Sequence, residues 1–330
     1  MLPDKPAYPP FRAGMPWVGG DLQTLRSFVV GGTPRIDSVR SERLDFPMED
    51  GSGDRLSGVL EIPATPVEGA PLVVLIHGLT GCEDSFHMRD AARYFVSAGL
   101  RVLRLNLRGA GPTRAACTHA YHAGRSDDLA AVLAQLRAHG IADRFVLFGV
   151  SLGANMMLKY LGERPTPDIV AAVSISAPLD LARTSERFIQ PRNRFYHRWL
   201  LKNMKLQALA TPGLSARELS AIRSARTTVE YDERHIAARN GFESARDYYA
   251  KCSAKGFLRG ISVPTLVVHA LNDPWIPGGI YLDVDWAASP SLTPLLPLDG
   301  GHVGFHDRGG SWHLRMAERF LEEKRAIPAH

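Results

Sequence analysis

The chain has 330 residues, of which 45% are hydrophobic and 22% are charged. This composition excludes a disordered chain and leaves room for one large α/β domain with an insertion or for two small domains. The formal net charge is +5, and we interpret the Arg and Lys residues as scattered, so no nucleic-acid partner is expected. Three cysteines without a Cys-x-x-Cys pair indicate a reducing compartment and no disulfide.

The N-terminal residues 1–35 are rich in Pro and Gly, and they predict an irregular arm with one short helical turn at residues 21–25. The arm has neither the basic region nor the apolar run of a signal peptide. No segment approaches the roughly 18 consecutive apolar residues of a transmembrane helix, and none resembles a membrane-docking helix. We therefore expect a soluble, cytoplasmic protein. Peripheral membrane contact and the oligomeric state are left open.

Beyond the arm, two hairpin-like strands are predicted at residues 41–47 and 55–62, on either side of a Gly- and Asp-rich turn. Apolar runs predict further strands at residues 72–77, 101–107, 145–150, 169–176, 265–270 and 294–298. Helical spacing of apolar residues predicts helices at residues 86–98, 126–139, 152–162 and 311–324. This alternation indicates an α/β fold with a mostly parallel sheet, helices on both faces and an antiparallel edge.

Residues 182–261 interrupt the alternation and have helical character. Helices are predicted at residues 196–209, 216–229 and 247–257. An insertion of this length is too long for a loop, so we interpret it as a helical cap over the carboxyl edge of the sheet. The predicted organisation is an N-terminal arm (1–35), a first core part (36–181), the cap (182–261) and a second core part (262–330).

The most informative motif is Gly149-Val-Ser-Leu-Gly153, which ends one predicted strand and opens the helix that follows. In an α/β-hydrolase this arrangement is the nucleophile elbow, where a serine occupies a sharp strand-to-helix turn and exposes its Oγ. The two glycines suit a tight turn that leaves no room for a Cβ. Ser151 is therefore the candidate nucleophile.

A serine hydroxyl needs a neighbouring base, and the base needs a carboxylate that orients it. In this fold the chain order is Ser, then acid, then His. Asp273 follows the predicted strand at 265–270, and His302 follows the last predicted strand in a glycine-rich loop. They are the candidate acid and base. Asp180 is an alternative acid, and His77 is an alternative base that we interpret as structural.

The oxyanion of an acyl-transfer reaction needs two backbone N–H donors. We assign them to Leu152, the residue after the nucleophile, and to Leu79, in a loop that follows an early strand. Arg108 and Asp128 are interpreted as architectural, with a substrate contact by Arg108 as the alternative. The sequence has no His-Glu-x-x-His motif, cysteine pair or Walker loop, so no metal and no cofactor are expected.

Several runs of this chain recur together in one group of α/β-hydrolases. They are His77-Gly-Leu-Thr-Gly81, Asn106-Leu-Arg-Gly109, Tyr121-His-Ala-Gly124 with Asp128, Gly149-Val-Ser-Leu-Gly-Ala-Asn155, Tyr231-Asp232, Tyr248-Tyr249, Asp273-Pro274 and Gly300-Gly-His-Val-Gly-Phe305. The chain thus resembles the YheT type, the bacterial relatives of eukaryotic abhydrolase-domain lipases and of plant embryogenesis-associated hydrolases. Asp21, which follows Gly20 where the group usually has His, is a departure from the pattern.

The resemblance implies a carboxylic ester hydrolase that needs no cofactor. It implies short- or medium-chain acyl esters or acylglycerols as substrates, so the expected partner is a small-molecule or lipid ester. Ser151, Asp273 and His302 fall on the triad positions of the group.

Two other functions are open at this stage. His302 and Asp307 match the His-x4-Asp spacing noted in some acyltransferases among the relatives, so the same serine is a candidate for acyl transfer to an alcohol. A non-catalytic member would use the hydrolase body to bind a ligand or partner, although the intact motifs argue against it.

Overall fold

The computed structural model describes residues 8–30, 32–38 and 40–328. Within these ranges eight strands form one sheet, in the order β1-β2-β4-β3-β5-β6-β7-β8. The strands are β1 Arg40–Pro47, β2 Arg55–Ile62, β3 Leu72–Ile76, β4 Val102–Asn106, β5 Phe145–Val150, β6 Ile169–Ile175, β7 Thr265–Val268 and β8 Leu292–Leu295. β1 pairs antiparallel with β2, and β2 pairs antiparallel with β4. All other neighbours are parallel, which confirms the predicted sheet with its antiparallel edge.

Helices lie between these strands and at both ends of the described chain. They are α1 Gly20–Val29, α2 Phe86–Ser97, α3 Ser126–Ala138, α4 Leu152–Glu163, α5 Leu181–Phe188, α6 Arg194–Leu209, α7 Ala216–Ser224, α8 Thr228–Tyr231, α9 Ala245–Cys252, α10 Gly279–Leu282 and α11 Trp312–Glu323. A π-helical turn, Asp232–Ala237, follows α8. A short ribbon of β9 His306–Asp307 and β10 Gly310–Ser311 precedes α11.

Side chains alternate between the two faces of each strand, which is why helices cover the sheet on both sides. In β3, Leu72, Val74 and Ile76 pack on one face with residues of α3 and α4. Val73 and Leu75 pack on the other face with residues of α2 and α11. All five side chains are fully buried. Burial on both faces accounts for the near-continuous apolar runs that predicted the strands.

Helices α5 to α9 lie between β6 and β7, where the sequence predicts the cap. They pack around a small apolar core of their own, which includes Phe188, Leu200, Met204 and Ile222. The predicted helices are present, although α7 and α9 are shorter than expected. The helix predicted at residues 216–229 is divided into α7 and α8, and the sequence did not predict α5 or the π-helical turn.

The short helical turn predicted at residues 21–25 is present but is part of a ten-residue helix, α1, so the prediction of irregular structure is wrong for the rest of residues 20–29. Asp21 in its first turn and Arg26 in its last turn complement the helix dipole. The composition of the arm concealed this helix, since most of its Pro and Gly residues lie outside α1. The parts of the predicted arm at residues 1–7 and 31 lie outside the described residues.

A buried ion-pair cluster around Arg108 joins the β1–β2 turn to α3. The Arg108 side chain donates from Nε and Nη2 to the two carboxylate oxygens of Asp128, at 3.0 and 2.6 Å. It also contacts Asp54 at 3.1 Å and Asp50 at 2.8 Å. Arg108 does not line the cavity described below. The architectural interpretation of Arg108 and Asp128 therefore agrees with the structure, and a substrate contact by Arg108 does not.

We expect Asp128→Ala to destabilise the fold by about 3 kcal/mol, because it leaves the buried Arg108 guanidinium without its bidentate partner. Asp127 is the matched control: it lies in the same first turn of α3, but its side chain is 88% exposed in its ion pair with Arg164. Asp127→Ala should cost less than about 1 kcal/mol. Urea unfolding at neutral pH measures both changes, and equal losses would contradict the architectural role of the pair.

Candidate active site

Ser151 sits at the turn between β5 and α4 in a strained backbone conformation, with φ of 51° and ψ of −120°. A non-glycine residue rarely adopts positive φ, and such strain concentrates at functional sites. Two close approaches hold the turn. A Cβ on Gly149 would lie 2.6 Å from Ala154 Cα, and a Cβ on Gly153 would lie 2.4 Å from the His77 carbonyl oxygen. Both glycines are therefore required by packing.

The structure brings the three residues of the predicted triad together. His302 Nε2 lies 3.1 Å from Ser151 Oγ, and His302 Nδ1 lies 2.8 Å from Asp273 Oδ2. The three side chains follow β5, β7 and β8, which are parallel strands. Because the carboxyl ends of parallel strands meet at one edge of the sheet, residues far apart in sequence form one hydrogen-bonded row.

The Asp273 carboxylate is buried, yet it is well supplied with donors. Its Oδ1 accepts from the backbone N–H groups of Trp275 and Ile276, at 2.8 and 3.0 Å. Burial alone would raise the pKa of Asp273, but the nearby His302 imidazole and these N–H groups outweigh it, and the pKa stays below its ordinary value. The Trp275 indole stacks on the His302 ring at 4.4 Å between centroids. An ionised Asp273 thus favours the tautomer in which His302 Nε2 accepts from Ser151.

Leu152 and Leu79, the residues predicted to donate to the oxyanion, both border the cavity that contains Ser151. Leu152 is the first residue of α4, where backbone N–H groups lack intrahelical partners. Leu79 follows Gly78, and a Cβ on Gly78 would lie 3.1 Å from Ser151 Cβ. Glycine at this position therefore lets the Leu79 loop approach the nucleophile.

His77 is a structural residue in this arrangement. Its Nδ1 contacts the Gly78 carbonyl oxygen at 2.8 Å, and its Nε2 accepts from the Leu107 N–H at 3.1 Å. Burial lowers the pKa of His77 to about 4, so the ring is neutral at physiological pH. Both ring nitrogens hold the loop that carries Leu79, as the interpretation of His77 as structural requires.

Asp180, the alternative acid, and Asp307, the acid of the His-x4-Asp spacing, bond to residues other than His302. Asp180 instead caps α5 by accepting from the Arg183 N–H at 3.1 Å. Asp307 pairs with Arg315 at 2.5 Å. Among the described residues, the carboxylate that bonds the His302 ring is that of Asp273.

The sequence reasoning missed the contribution of α1 to the site. Thr24 Oγ1 accepts the backbone N–H of His302 at 2.8 Å and donates to the Gly20 carbonyl at 2.7 Å. The Gln23 side chain bonds the next part of the same loop, at the backbone N–H and carbonyl of His306. Helix α1 therefore positions the loop that carries the base. No motif signals this role, because a Thr and a Gln in an N-terminal arm are unremarkable residues.

A cavity of about 460 Å³ lies above the Ser151–His302–Asp273 row, between the sheet edge and the cap. Its walls are mainly apolar and include Leu181, Phe188, Met204 and Ile236. The volume falls within the range of about 300–1,000 Å³ that is typical of small-molecule sites.

One carboxyl group faces this cavity from the cap. Asp232 Oδ2 accepts from Tyr249 Oη at 2.7 Å. Burial raises the pKa of Asp232 to about 7, and the hydrogen bond from Tyr249 offsets only part of that effect. Tyr231-Asp232 and Tyr248-Tyr249 are among the runs that resemble the YheT type, although the sequence alone indicates no role for them. The structure shows that residues of the two runs bond to each other inside the cavity.

The residues that the structure describes include no group of three or more His, Cys, Asp or Glu side chains suited to a metal ion. No helix among them is long and apolar enough to cross a membrane. The three cysteines are free thiols.

We expect Thr24→Val to lower both stability and turnover, because it keeps the side-chain shape but leaves the buried His302 N–H without an acceptor. The cost should be about 1–3 kcal/mol of unfolding free energy. A displaced His302 should lower kcat more than it changes KM. Thr24→Ser, which retains the hydroxyl, should restore both. Unchanged kcat in a stable Thr24→Val variant would show that α1 does not position the base.

Asp232→Asn should make stability less dependent on pH. The unfolded Asp232 carboxyl loses its proton near pH 4, whereas the folded one keeps it until about pH 7. The wild type therefore loses stability as pH rises through this window, and the Asn variant does not. The free energy of unfolding of the variant relative to that of the wild type should therefore increase by about 2 kcal/mol between pH 4.5 and 8, after allowance for water in the cavity. Urea unfolding at both pH values checks this, with Asp143→Asn, an exposed site, as control.

Comparison with known proteins places these features in a family. The model of the α/β-hydrolase fold family matches residues 71–309. YheT of Escherichia coli strain K12 is 30% identical over 270 residues, which cover 80% of this chain and 78% of YheT. A monoacylglycerol lipase of Saccharomyces cerevisiae is also 30% identical over 270 residues, covering 77% of this chain but only 60% of the lipase.

Among solved structures, the esterase Pf2001 of Pyrococcus furiosus superposes with a TM-score of 0.58 at 17% identity. The match covers 88% of this chain and 98% of the esterase, and it bears on the fold alone. The family model and the similarity to YheT show that the chain belongs to the α/β-hydrolase family and is an enzyme of its esterase and lipase type.

Proposed function

We propose that this protein is a serine carboxylic ester hydrolase that works through an acyl-enzyme on Ser151. The proposed substrates are short- to medium-chain acyl esters or acylglycerols. The observation that carries the proposal is the row of Ser151, His302 and Asp273 at the floor of a mainly apolar cavity. The name of one relative, the monoacylglycerol lipase of Saccharomyces cerevisiae, supports acylglycerols as substrates.

In the acylation step, Ser151 Oγ attacks the acyl carbon while His302 Nε2 takes the hydroxyl proton. The carbonyl oxygen becomes an oxyanion, which we assign to the N–H groups of Leu152 and Leu79. Asp273 stabilises the imidazolium that forms. His302 then gives its proton to the departing alcohol oxygen, and the carbon–oxygen bond to the alcohol breaks. The product of this step is an ester between Ser151 and the acyl group.

Deacylation repeats the sequence with water in place of the serine. His302 takes a proton from water, the resulting hydroxide attacks the acyl carbon, and the proton returns to Ser151 Oγ as the acid leaves. The mainly apolar walls of the cavity suit an acyl chain, and the Asp232–Tyr249 pair is a polar group within reach of the same space.

A fluorophosphonate probe tests the nucleophile directly. We expect the wild type to be labelled and Ser151→Ala to show no labelling, with ester hydrolysis falling by roughly 10⁴-fold or more. Ser97→Ala, at an exposed serine near the end of α2, should label like the wild type. A folded wild-type protein that takes no label would refute the proposal and favour a binding function.

A panel of nitrophenyl esters tests the substrate class. We expect kcat/KM to be higher for butyrate and octanoate than for palmitate, because a cavity of about 460 Å³ holds a shorter chain more completely. Equal or faster cleavage of palmitate would contradict the assigned chain length but leave the serine chemistry intact. An added alcohol that outcompetes water for the acyl-enzyme would instead identify a transferase.

A further inference from the structure

Helix α1 presents its polar side to the protein and its apolar side to solvent. Gln23 is fully buried and Thr24 is nearly so, and both side chains form the hydrogen bonds that hold the His302 loop. Leu25, Phe28 and Val29 are exposed, Val29 to 67%. A surface helix ordinarily buries its apolar stripe against the core. The exposed side of α1 is thus an apolar face that the described residues leave uncovered.

Helix α6 of the cap continues this face. Phe195 is 82% exposed, and Trp199 and Leu206 on the same side of the helix are exposed too. The rings of Phe28 and Trp199 meet edge to face, 5.4 Å between centroids. The Asp21 carboxylate of α1 accepts from Tyr196 of α6 and from Arg192 just before α6, which ties the two helices together. We call this surface the apolar rim; it consists of Leu22, Leu25, Phe28, Val29, Phe195, Trp199 and Leu206.

The apolar rim is continuous with the wall of the catalytic cavity. Phe28 and Trp199 belong to both the rim and the cavity wall, and Thr24, Ser27 and Asn203 line the wall beside them. Side chains of the rim therefore also face the space that contains Ser151. An apolar patch continuous with that space points to an apolar partner that also delivers substrate.

The segment that carries α6 has a strongly one-sided charge. Between Glu186 and Glu218 the chain has seven Arg and Lys residues and no Asp or Glu, whereas the whole chain has a net charge of only +5. Arg194, Arg198 and Lys202 of α6 are exposed, and none of the three has an acidic partner among the described residues. The expectation that the basic residues are scattered is therefore wrong in this region.

We propose that the apolar rim docks on an anionic lipid surface, with the cations of α6 against the phosphate headgroups and the rim side chains among the acyl chains. Basic residues beside an apolar helix face are the pattern of interfacial membrane binding. A second copy of the chain is a poorer occupant, because two cationic faces repel each other. This inference rests on the proposed function, since the lipid layer then supplies the acyl ester to the cavity. It also revises the expectation that no membrane-docking helix is present.

Vesicle flotation tests the docking without relying on catalysis. Full-length protein carrying Ser151→Ala should bind vesicles of phosphatidylcholine mixed with phosphatidylglycerol, and bind phosphatidylcholine vesicles at least about tenfold more weakly. Raising the salt concentration should weaken the binding. If the protein does not bind the anionic vesicles, the docking proposal is overturned. If the wild-type protein does not hydrolyse esters, only the proposed function is contradicted.

Two pairs of variants identify the contact surface. Leu25→Ser with Phe195→Ser changes rim residues outside the cavity wall, and Arg194→Gln with Arg198→Gln removes two α6 cations. Each pair should lower anionic vesicle binding about tenfold or more and leave hydrolysis of soluble nitrophenyl butyrate within twofold of wild type.

The matched controls lie away from the rim. Leu282→Ser changes an exposed leucine of α10, and Arg144→Gln with Arg259→Gln removes two exposed cations near the start of β5 and after α9. These variants should bind like wild type. Equal vesicle binding by the rim variants and the control variants would overturn the proposal. The proposal would also be overturned if the protein is a dimer in solution and Leu25→Ser with Phe195→Ser dissociates it, because a second copy would then cover the rim.

Discussion

The hydrogen bond between the Asp273 carboxylate and His302 Nδ1 is the interaction on which the rest of the site depends. A buried carboxylate is costly unless it is paired and hydrogen-bonded, and here it receives the imidazole and two backbone N–H groups. That bond fixes the orientation of the ring and leaves Nε2 to face Ser151. The strained turn at Ser151 and the glycines packed against it then place the hydroxyl at 3.1 Å from that nitrogen.

Much of the fold follows from the period of the apolar residues. The strand predicted at residues 145–150 is β5 with the same bounds, because its side chains are buried on both faces and its run is continuous. The order of Ser151, Asp273 and His302 also located the candidate site, since each lies just after a parallel strand and such ends share one edge of the sheet. These inferences need only local pattern and topology.

Other parts of the site depend on contacts that no local pattern records. Thr24 matters because α1 happens to pack beside the His302 loop, and the Pro- and Gly-rich composition around α1 masked the helix itself. The pair of Asp232 and Tyr249 forms because the π-helical turn lies against α9. The sequence marked both residues, but the pKa of Asp232 depends on how much protein surrounds it.

Helix α1 has demanding requirements on both of its sides. The inner side must keep hydroxyl and amide groups of fixed reach for the loop that carries His302, and the outer side is apolar although it faces water. The solvent-facing side of an ordinary surface helix tolerates changes of sequence, whereas neither side of α1 does. Suppose that descendants of this chain acquire polar residues on the outer side of α1 and keep its inner side unchanged. Such descendants would have changed the surface on which they meet their substrate.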